Sequence, residues 1–146
     1  GLGSNVPFLK MTEDEWDRIL DVNLKGYFLT TQAFGQHMFK ARSGRVINIS
    51  SAMAEQPLPY LTHYAASKGG INAMTKCLAQ EWAGRGITVN AILPGTIDTP
   101  RNRADMPDAD FSRWVAPEAI AEVILFLASD AARAVTGASI PVLGRG

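Results

Sequence analysis

Gly44-Arg-Val-Ile-Asn-Ile-Ser-Ser51 is a short β-branched run that ends in two serines, and its composition is typical of a buried parallel strand. Ile87-Thr-Val-Asn-Ala-Ile-Leu93 has the same character and is broken by Pro94-Gly95. Between the two runs, a helical pattern extends from about residue 62 to residue 83 and is followed by a glycine-rich stop. A strand, a long helix and a second strand in this order predict a βαβ unit with parallel strands.

The remaining segments extend this alternation in both directions. Thr12-Glu-Asp-Glu15 is a capping box, which predicts the start of a long helix reaching about residue 40. Pro117 suits the first turn of a third helix that ends near residue 128. Ser139-Ile-Pro-Val-Leu143 predicts a last strand, and its proline favours an edge position. The order α-β-α-β-α-β predicts one α/β domain over 1–146 with a doubly wound parallel sheet, whose ligands bind beyond the carboxyl ends of the strands.

Composition and charge narrow the class of protein. Apolar residues make up 47% of the chain, which is enough to bury a core. The 14 basic and 14 acidic residues cancel without a long run of either sign, which argues against a nucleic-acid partner or an anionic membrane surface. No apolar run approaches the ~20 residues that span a bilayer, and the single cysteine, Cys77, fits a reducing compartment. We therefore expect a cytoplasmic protein that acts on small molecules.

Tyr64 and Lys68 are four residues apart on a predicted helix, so they share one face. A nearby ammonium favours the phenolate form of a tyrosine, which lets the phenol exchange a proton with an alcohol or carbonyl oxygen. Ser51 could hold the same oxygen by a hydrogen bond. Tyr-x-x-x-Lys alone is a common helical coincidence, and the strand-end serine, the loop after it and the later Pro-Gly pair favour the functional interpretation.

Asn23 lies within the apolar stripe of the first predicted helix, one turn from Ile19 and one turn from Tyr27. A polar amide in such a position needs hydrogen-bond partners. Two interpretations remain open at this point. The amide either bonds to backbone and distorts the helix locally, or it holds a water molecule near Lys68.

The combined pattern resembles the short-chain dehydrogenase/reductase family. The motifs behind the resemblance cover nearly the whole chain: Asn23-Leu-Lys-Gly26, Ile49-Ser-Ser51, Tyr64-Ala-Ala-Ser-Lys68-Gly69, Val89-Asn90, Pro94-Gly95 and Val135-Thr-Gly137. The resemblance implies that Tyr64 is the proton donor or acceptor, that Lys68 assists it and binds the nicotinamide ribose, and that Ser51 orients the substrate. It also implies that Asn23 maintains a proton relay. The implied reaction is hydride transfer between NAD or NADP and a small carbonyl or alcohol substrate.

The turn after the second strand is the implied nicotinamide site. The resemblance implies that Pro94 and Gly95 line the nicotinamide end of the cofactor. It further implies that the backbone at Ile97 and the hydroxyl of Thr99 contact the carboxamide. The alternative for the Pro-Gly pair is a plain strand stop. The residue that selects NAD or NADP is expected outside this sequence, so that choice stays open.

The polar segment 96–115 is expected to be an irregular substrate lid. Residues 98–114 resemble the corresponding segment of dihydropteridine reductase, a short-chain reductase that acts on a quinonoid pterin. Arg101, Arg103 and Trp114 would then contact a flat or anionic substrate. The alternative is a solvated loop with one anchoring tryptophan. The strand-end serine favours the general reductase pattern, because the pterin enzymes tend to lack it.

Two departures from the family pattern affect these expectations. The family ends its last strand with Asp-Gly, whereas this chain has Val142-Leu-Gly-Arg-Gly146, which puts a usual C-terminal contact in doubt but not the chemistry. The glycine-rich turn that holds the cofactor pyrophosphate does not occur in the 146 residues, and Gly1-Leu-Gly-Ser4 looks like a stretch that follows it. We therefore expect the C-terminal half of a longer reductase, whose isolated part binds cofactor poorly and shows no turnover. The alternative is a truncated relative that acts as an association module or needs a complementing half.

The resemblance also implies a homodimer or homotetramer. The helices at 12–40 and 62–83 would pair with symmetry mates into a four-helix bundle through broad apolar faces. Without a front half, the strand at 45–51 would lack one neighbour and expose a hydrophobic edge, which is itself prone to association.

Overall fold

Three parallel strands form the sheet in this computed structural model, which describes residues 2–144. The strands are β1 (Gly44–Ile49), β2 (Ile87–Pro94) and β3 (Ser139–Val142), in the spatial order β1-β2-β3. β1 pairs with β2 from Gly44↔Ile87 to Ile49↔Ile92, and β2 pairs with β3 from Ala91↔Ser139 to Pro94↔Val142. The predicted parallel sheet, with its proline-containing last strand at an edge, is confirmed. The expectations for Gly1, Arg145 and Gly146 concern residues outside the described range.

The helices of the described residues connect and cover these strands. They are α1 (Glu13–Leu20), α2 (Gly26–Ala41), α3 (Thr62–Glu81), α4 (Pro100–Asp105) and α5 (Pro117–Ala128). Only the threonine half of the predicted capping box is seen: Thr12 Oγ1 accepts the amide N–H of Glu15 at 3.2 Å, whereas Glu15 Oε1 accepts from Ser4 Oγ instead of reaching back to the Thr12 amide. Pro117 occupies the first turn of α5, where its missing N–H costs no hydrogen bond.

Two predicted segments differ from the structure. The single helix predicted over 12–40 is interrupted by a π-helical turn, Asp21–Lys25, between α1 and α2. Asn23 lies in this turn and bonds outside the helix, and a widened turn of this kind is frequent at functional sites. The segment predicted as irregular over 96–115 contains α4 and a 3-10 turn, Phe111–Arg113, and Ile97 and Val115 form a parallel bridge across it.

Both faces of the sheet are covered by apolar side chains, because successive strand residues point to opposite sides. One face packs against α5 and the turn that follows it, and its buried members are Ile92, Val115, Ile120, Leu127 and Ala132. The other face packs against α2 and α3, and its buried members are Ala79, Trp82, Ile87 and Val89. This two-sided burial explains why β2, the central strand, is buried along its whole length.

The motifs Val89-Asn90 and Val135-Thr-Gly137 act as a structural clamp. Asn90 Nδ2 donates to the carbonyl of Val135 at 2.8 Å, and Asn90 Oδ1 accepts the amide of Ala138 at 3.0 Å. Thr136 Oγ1 accepts the amide of Val89 at 3.1 Å. Because Asn90 is fully buried, these bonds satisfy its amide and fix the chain as it enters β3.

Replacing Gly86 with alanine should destabilise the fold more than the same change at Gly84. Both glycines have left-handed backbones, with φ of +73° and +75°, so both substitutions cost about 1–2 kcal/mol of backbone strain. A Cβ at Gly86 would in addition collide with the carbonyl oxygen of Arg42, whereas a Cβ at Gly84 meets no atom within 4 Å. Urea unfolding of the two variants measures the difference. Equal losses of unfolding free energy would contradict the collision.

Candidate active site

Tyr64 and Lys68 meet on one face of α3, as their spacing predicts. Lys68 Nζ lies 5.8 Å from the centre of the Tyr64 ring. The lysine is 3% exposed, while the tyrosine is half-buried and its ring reaches the surface. A buried ammonium close to a partly exposed phenol is the arrangement that the proton-transfer interpretation requires.

Lys68 is held by a single protein hydrogen bond. Its Nζ donates to the carbonyl oxygen of Ile49, the last residue of β1, at 2.9 Å. Burial lowers the pKa of Lys68 from its usual value, and the lysine forms no salt bridge with another described residue. Because an ammonium has three N–H donors, two remain for a ligand.

Tyr27, on α2, shares this acceptor with Lys68. Its hydroxyl donates to the carbonyl oxygen of Ile49 at 2.9 Å, and its ring centre lies 5.8 Å from Lys68 Nζ. Burial raises the pKa of Tyr27, although the hydrogen bond to Ile49 acts in the opposite direction. Sequence reasoning placed Tyr27 in an apolar stripe and missed its polar role. The available signal was a tyrosine one helical turn after Asn23.

The two serines at the end of β1 have different partners. Ser50 Oγ donates to the backbone carbonyl of Lys68 at 3.1 Å and so ties the end of the strand to α3. Ser51 Oγ accepts the amide of Met53 at 3.1 Å and caps a 3-10 turn, Ala52–Ala54, that packs against α3. Accepting this bond leaves the Ser51 hydroxyl proton available for an oxygen of a ligand.

Asn23 follows the backbone-bonding alternative. Its Oδ1 accepts the amide of Leu2 and its Nδ2 donates to the carbonyl of Leu2, both at 2.7 Å. Nδ2 also donates to Ser67 Oγ at 3.2 Å, and Ser67 in turn donates to the carbonyl of Tyr64 at 2.7 Å. The structure places no hydrogen bond between Asn23 and Lys68, so the relay role of Asn23 stays a prediction.

The segment from Leu2 to Ser4 packs against the start of α3. A Cβ on Gly3 would lie 3.3 Å from the ring of Tyr64, so a glycine permits this close approach. Ser4 Oγ donates to Glu15 Oε1 at 2.7 Å and lies 3.1 Å from His63 Nε2. Because the serine has one proton and gives it to Glu15, its oxygen accepts from the Nε2–H of His63, whose buried Nδ1 has no hydrogen-bond partner among the described residues.

The turn after β2 lies at the same edge of the sheet as the strand-end serines. Ser51 and Pro94 each come two residues after the paired residues Ile49 and Ile92. Gly95 donates its amide to the carbonyl of Val142 at 2.9 Å, and a Cβ there would lie only 3.2 Å from the carbonyl oxygen of Leu143. The close approach of the two strand ends therefore explains the glycine without reference to a ligand.

Ile97 and Thr99 are partly used by the protein itself. The carbonyl of Ile97 accepts from Asn102 Nδ2 at 2.8 Å, which leaves its N–H as the backbone group that a ligand could contact. Thr99 Oγ1 accepts the amide of Asn102 at 3.1 Å and caps α4. The Thr99 hydroxyl retains its proton as a donor, so the predicted contact with a carboxamide oxygen remains chemically available.

The lid contains a tight internal ion pair. Arg103 donates to both carboxylate oxygens of Asp98, at 2.6 and 2.7 Å, and its guanidinium lies 4.7 Å from the ring centre of Phe111. The hydrogen bond from Arg103 lowers the pKa of Asp98. A guanidinium that is paired and stacked in this way stabilises the lid rather than pointing freely at a substrate.

Arg101 and Trp114, the other two predicted substrate contacts, interact less strongly with neighbouring residues of this segment. Arg101 pairs with Asp105 at 2.9 Å along α4, and its side chain is 86% exposed. Trp114 is half-buried and its ring centre lies 4.7 Å from that of Phe111. Segment 96–115 therefore has helical structure and internal aromatic contacts, and its contact with a substrate stays a prediction.

Several other classes of site receive no support from residues 2–144. No group of three or more His, Cys, Asp or Glu side chains in this range could hold a metal ion. No helix in the same range is long and apolar enough to cross a bilayer. A cavity of about 460 Å³ runs between α2 and the side of β1 that faces away from β2, and Tyr64 does not line it.

The chain is similar in sequence to a protein family and to several characterised enzymes. The family described as Enoyl-(Acyl carrier protein) reductase matches residues 1–144. A 3-oxoacyl-(acyl-carrier-protein) reductase from Thermotoga maritima is 41% identical over 99% of this chain, and galactitol 2-dehydrogenase from Rhizobium johnstonii is 38% identical over 97%. This chain covers 62% and 60% of those two relatives, so it spans about three-fifths of their length.

Solved structures of dehydrogenases superpose closely on this chain. A protein provisionally described as a 2-deoxy-D-gluconate 3-dehydrogenase from Agrobacterium tumefaciens, solved with bound NADP, superposes with a TM-score of 0.92 at 39% identity, over 99% of this chain and 63% of the other. Acetoin dehydrogenase from Enterobacter cloacae gives a TM-score of 0.88 at 34% identity, over 97% of this chain and 59% of the other. With its Tyr64–Lys68 face at the carboxyl end of a Rossmann-like parallel sheet, the chain belongs to the short-chain dehydrogenase/reductase family of oxidoreductases.

Proposed function

We propose that the full-length protein is an NAD(P)-dependent oxidoreductase that interconverts a small ketone and the corresponding alcohol, and that this chain forms its nicotinamide- and substrate-facing part. The observation behind the proposal is the buried Lys68 ammonium, 5.8 Å from the Tyr64 ring, at the end of β1. The named relatives support the reaction class, since each is called a reductase or a dehydrogenase.

Each side chain at this face has a role that its contacts allow. Tyr64 donates a proton to the carbonyl oxygen during reduction and removes one from the alcohol during oxidation. Lys68 stabilises the phenolate through its nearby positive charge. Ser51 donates a hydrogen bond to the same substrate oxygen, because its hydroxyl proton is free while the oxygen accepts the amide of Met53. Asn23 keeps the segment at Leu2 in place and, as implied by the family resemblance, supports proton exchange.

The residues present fit a nicotinamide cofactor. When bound, NAD or NADP supplies or accepts the hydride. The two unused N–H donors of Lys68 suit ribose hydroxyls, the N–H of Ile97 and the hydroxyl of Thr99 suit the carboxamide, and Pro94 and Gly95 line that end of the site. About two-fifths of each relative lies outside the match, and the proposal assigns the adenosine side to the corresponding part of the full-length protein.

The names of the relatives favour an alcohol or ketone substrate over a pterin. Trp114 and Arg101 remain candidate substrate contacts, and Arg103 is the weaker candidate because Asp98 already binds it. None of the relatives described above is named for a pterin, so a pterin-like substrate stays a prediction of segment 98–114 alone. The same relatives favour the enzyme over a non-catalytic association module.

Self-association is part of the proposal. Phe28 and Leu29, on α2, are 47% and 53% exposed, and Met74 and Leu78 line a shallow apolar groove between α2 and α3. Burying these side chains against a second copy would remove apolar surface from water, which supports the homodimer or homotetramer implied by the resemblance.

The test is cofactor-dependent turnover by the full-length protein. Purified protein is mixed with NADPH or NADH and a panel of small ketones and 3-oxoacyl thioesters, and the loss of absorbance of the reduced nicotinamide is followed. We expect saturable turnover with at least one pairing and a clear preference for one of the two cofactors. Tight cofactor binding without turnover on any substrate, or no cofactor binding at all, would overturn the proposal.

A further inference from the structure

One backbone carbonyl at the candidate active site receives two side-chain donors from different helices. The oxygen of Ile49 accepts Lys68 Nζ from α3 and the Tyr27 hydroxyl from α2, each at 2.9 Å. A carbonyl oxygen has two lone pairs, so these two bonds saturate it. Tyr27 lies one turn after Asn23, and its ring centre is also 5.8 Å from the ammonium.

We propose that Tyr27 is a positioning residue for Lys68: its phenol anchors the Ile49 carbonyl to α2, so that the ammonium stays beside Tyr64 with two N–H donors turned to the ligand. This inference rests on the proposed function for its kinetic consequence. Its structural content, the restraint of Lys68 by Tyr27, can be measured without any turnover.

The geometry favours restraint over simple core packing. Ile49 is the last residue of β1, and the ladder bond beside it runs from the amide of Ser50 to the carbonyl of Ile92, so the Ile49 carbonyl points to the side of β1 away from β2 and takes no bond from that ladder. The hydrogen bond from the Tyr27 hydroxyl fixes the position of the Ile49 carbonyl oxygen. The oxygen therefore does not shift toward Lys68 Nζ, and the ammonium keeps its place. The Tyr27 ring also covers one side of the ammonium, which limits its movement.

The charged groups around Lys68 are otherwise paired or exposed. In the π-helical turn that packs against α3, Lys25 and Asp21 pair with each other at 3.1 Å and are exposed. On α1, Glu15 belongs to the Ser4–His63 cluster and the remaining acidic side chains are exposed. β2 carries no charged side chain. The titratable groups that face the ammonium are therefore the two phenols, Tyr27 and Tyr64.

The experiment compares Tyr27→Phe with Tyr60→Phe in the full-length protein. Tyr60 is 58% exposed and its ring is not one of the two beside Lys68 Nζ, so it supplies a matched loss of one phenol hydroxyl. In Tyr27→Phe, kcat should fall about fivefold, the kinetic equivalent of one ordinary hydrogen bond, about 1 kcal/mol. The midpoint of the pH profile for alcohol oxidation should move to higher pH by about 0.7 unit, because a less restrained ammonium stabilises the Tyr64 phenolate less well. Tyr60→Phe should change neither quantity.

A second measurement is independent of turnover. Lysine labelled with ¹³C at Cε gives an NMR signal for Lys68, assigned by its loss in Lys68→Met. In Tyr27→Phe this signal should shift or broaden, while the Tyr60→Phe spectrum should match the wild type. An unchanged Lys68 signal and an unchanged pH profile, whatever the loss of stability, would overturn the positioning role. A wild-type protein without turnover but with a Lys68 signal that responds to Tyr27→Phe would refute the proposed function alone.

Discussion

Replacing Tyr64 with phenylalanine should lower the rate of ketone reduction by about 10²–10⁴-fold, the usual contribution of a positioned acid or base. The substitution removes the group that transfers a proton to the carbonyl oxygen in this proposal, whereas Ser51 only hydrogen-bonds that oxygen. It should leave the fold intact, because the Tyr64 hydroxyl makes no hydrogen bond within the described residues and its ring keeps its packing against Gly3. Steady-state kinetics of the full-length protein with saturating reduced nicotinamide measures the effect.

The affinity of Tyr64→Phe for the cofactor distinguishes a loss of proton transfer from a loss of folding or of cofactor binding. In Tyr64→Phe, the dissociation constant for NAD(P)H, followed by nicotinamide fluorescence, should change less than threefold, which corresponds to less than about 0.7 kcal/mol. Tyr60→Phe should retain wild-type kinetics. If Tyr64→Phe kept more than a tenth of the wild-type rate, Tyr64 would lose its assigned role in proton transfer.

Replacing Lys68 with methionine should have the second-largest effect, and it should act on activity and stability in opposite directions. Turnover should fall about 100-fold or more, because the charge that stabilises the phenolate is removed. The midpoint of thermal unfolding should hold or rise, because an apolar chain of similar length replaces a buried ammonium whose pKa is lowered by burial. The carbonyl of Ile49 stays satisfied, since Tyr27 still donates to it.

Lys76→Met provides the matched control for this prediction. Lys76 lies two turns further along α3 and is exposed, so its loss should change the free energy of unfolding by no more than about 0.5 kcal/mol and leave the rate unchanged. A lower unfolding midpoint in Lys68→Met, together with a proportional loss of rate, would mean that Lys68 serves the fold rather than the chemistry.

Local patterns predicted the scaffold of the site well. The β-branched run at 44–51 and the glycine-ended helix before the second strand gave the βαβ unit, because strand and helix periodicities depend on nearby residues. The shared face of Tyr64 and Lys68 follows from helical spacing alone. Their position beyond the end of β1 follows from the rule that strands of a parallel sheet end at the same edge.

Contacts between distant segments were beyond such patterns. The interruption of the first helix arises because Asn23 bonds the backbone of Leu2, which is 21 residues away. From the sequence, Arg103 is predicted to contact a substrate. In the folded segment its guanidinium instead hydrogen-bonds Asp98 and stacks on the ring of Phe111. The partner of Asn23 is distant along the chain, whereas Asp98 is only five residues from Arg103, and that pairing depends on how the loop before α4 folds back, which local propensity does not encode.

The sequence by itself determined the alternation of helices and strands, the resemblance to the family and the candidate acid-base pair, since all of these depend on residue type and short spacing. Only the tertiary structure decided which groups surround that pair. Tyr27 and Lys68 are 41 positions apart and meet because α2 and α3 both pack against the sheet at the end of β1, where a single carbonyl accepts from both. A hydrogen bond needs its atoms within about 3 Å, and that distance is set by the packing of whole elements rather than by their individual sequences.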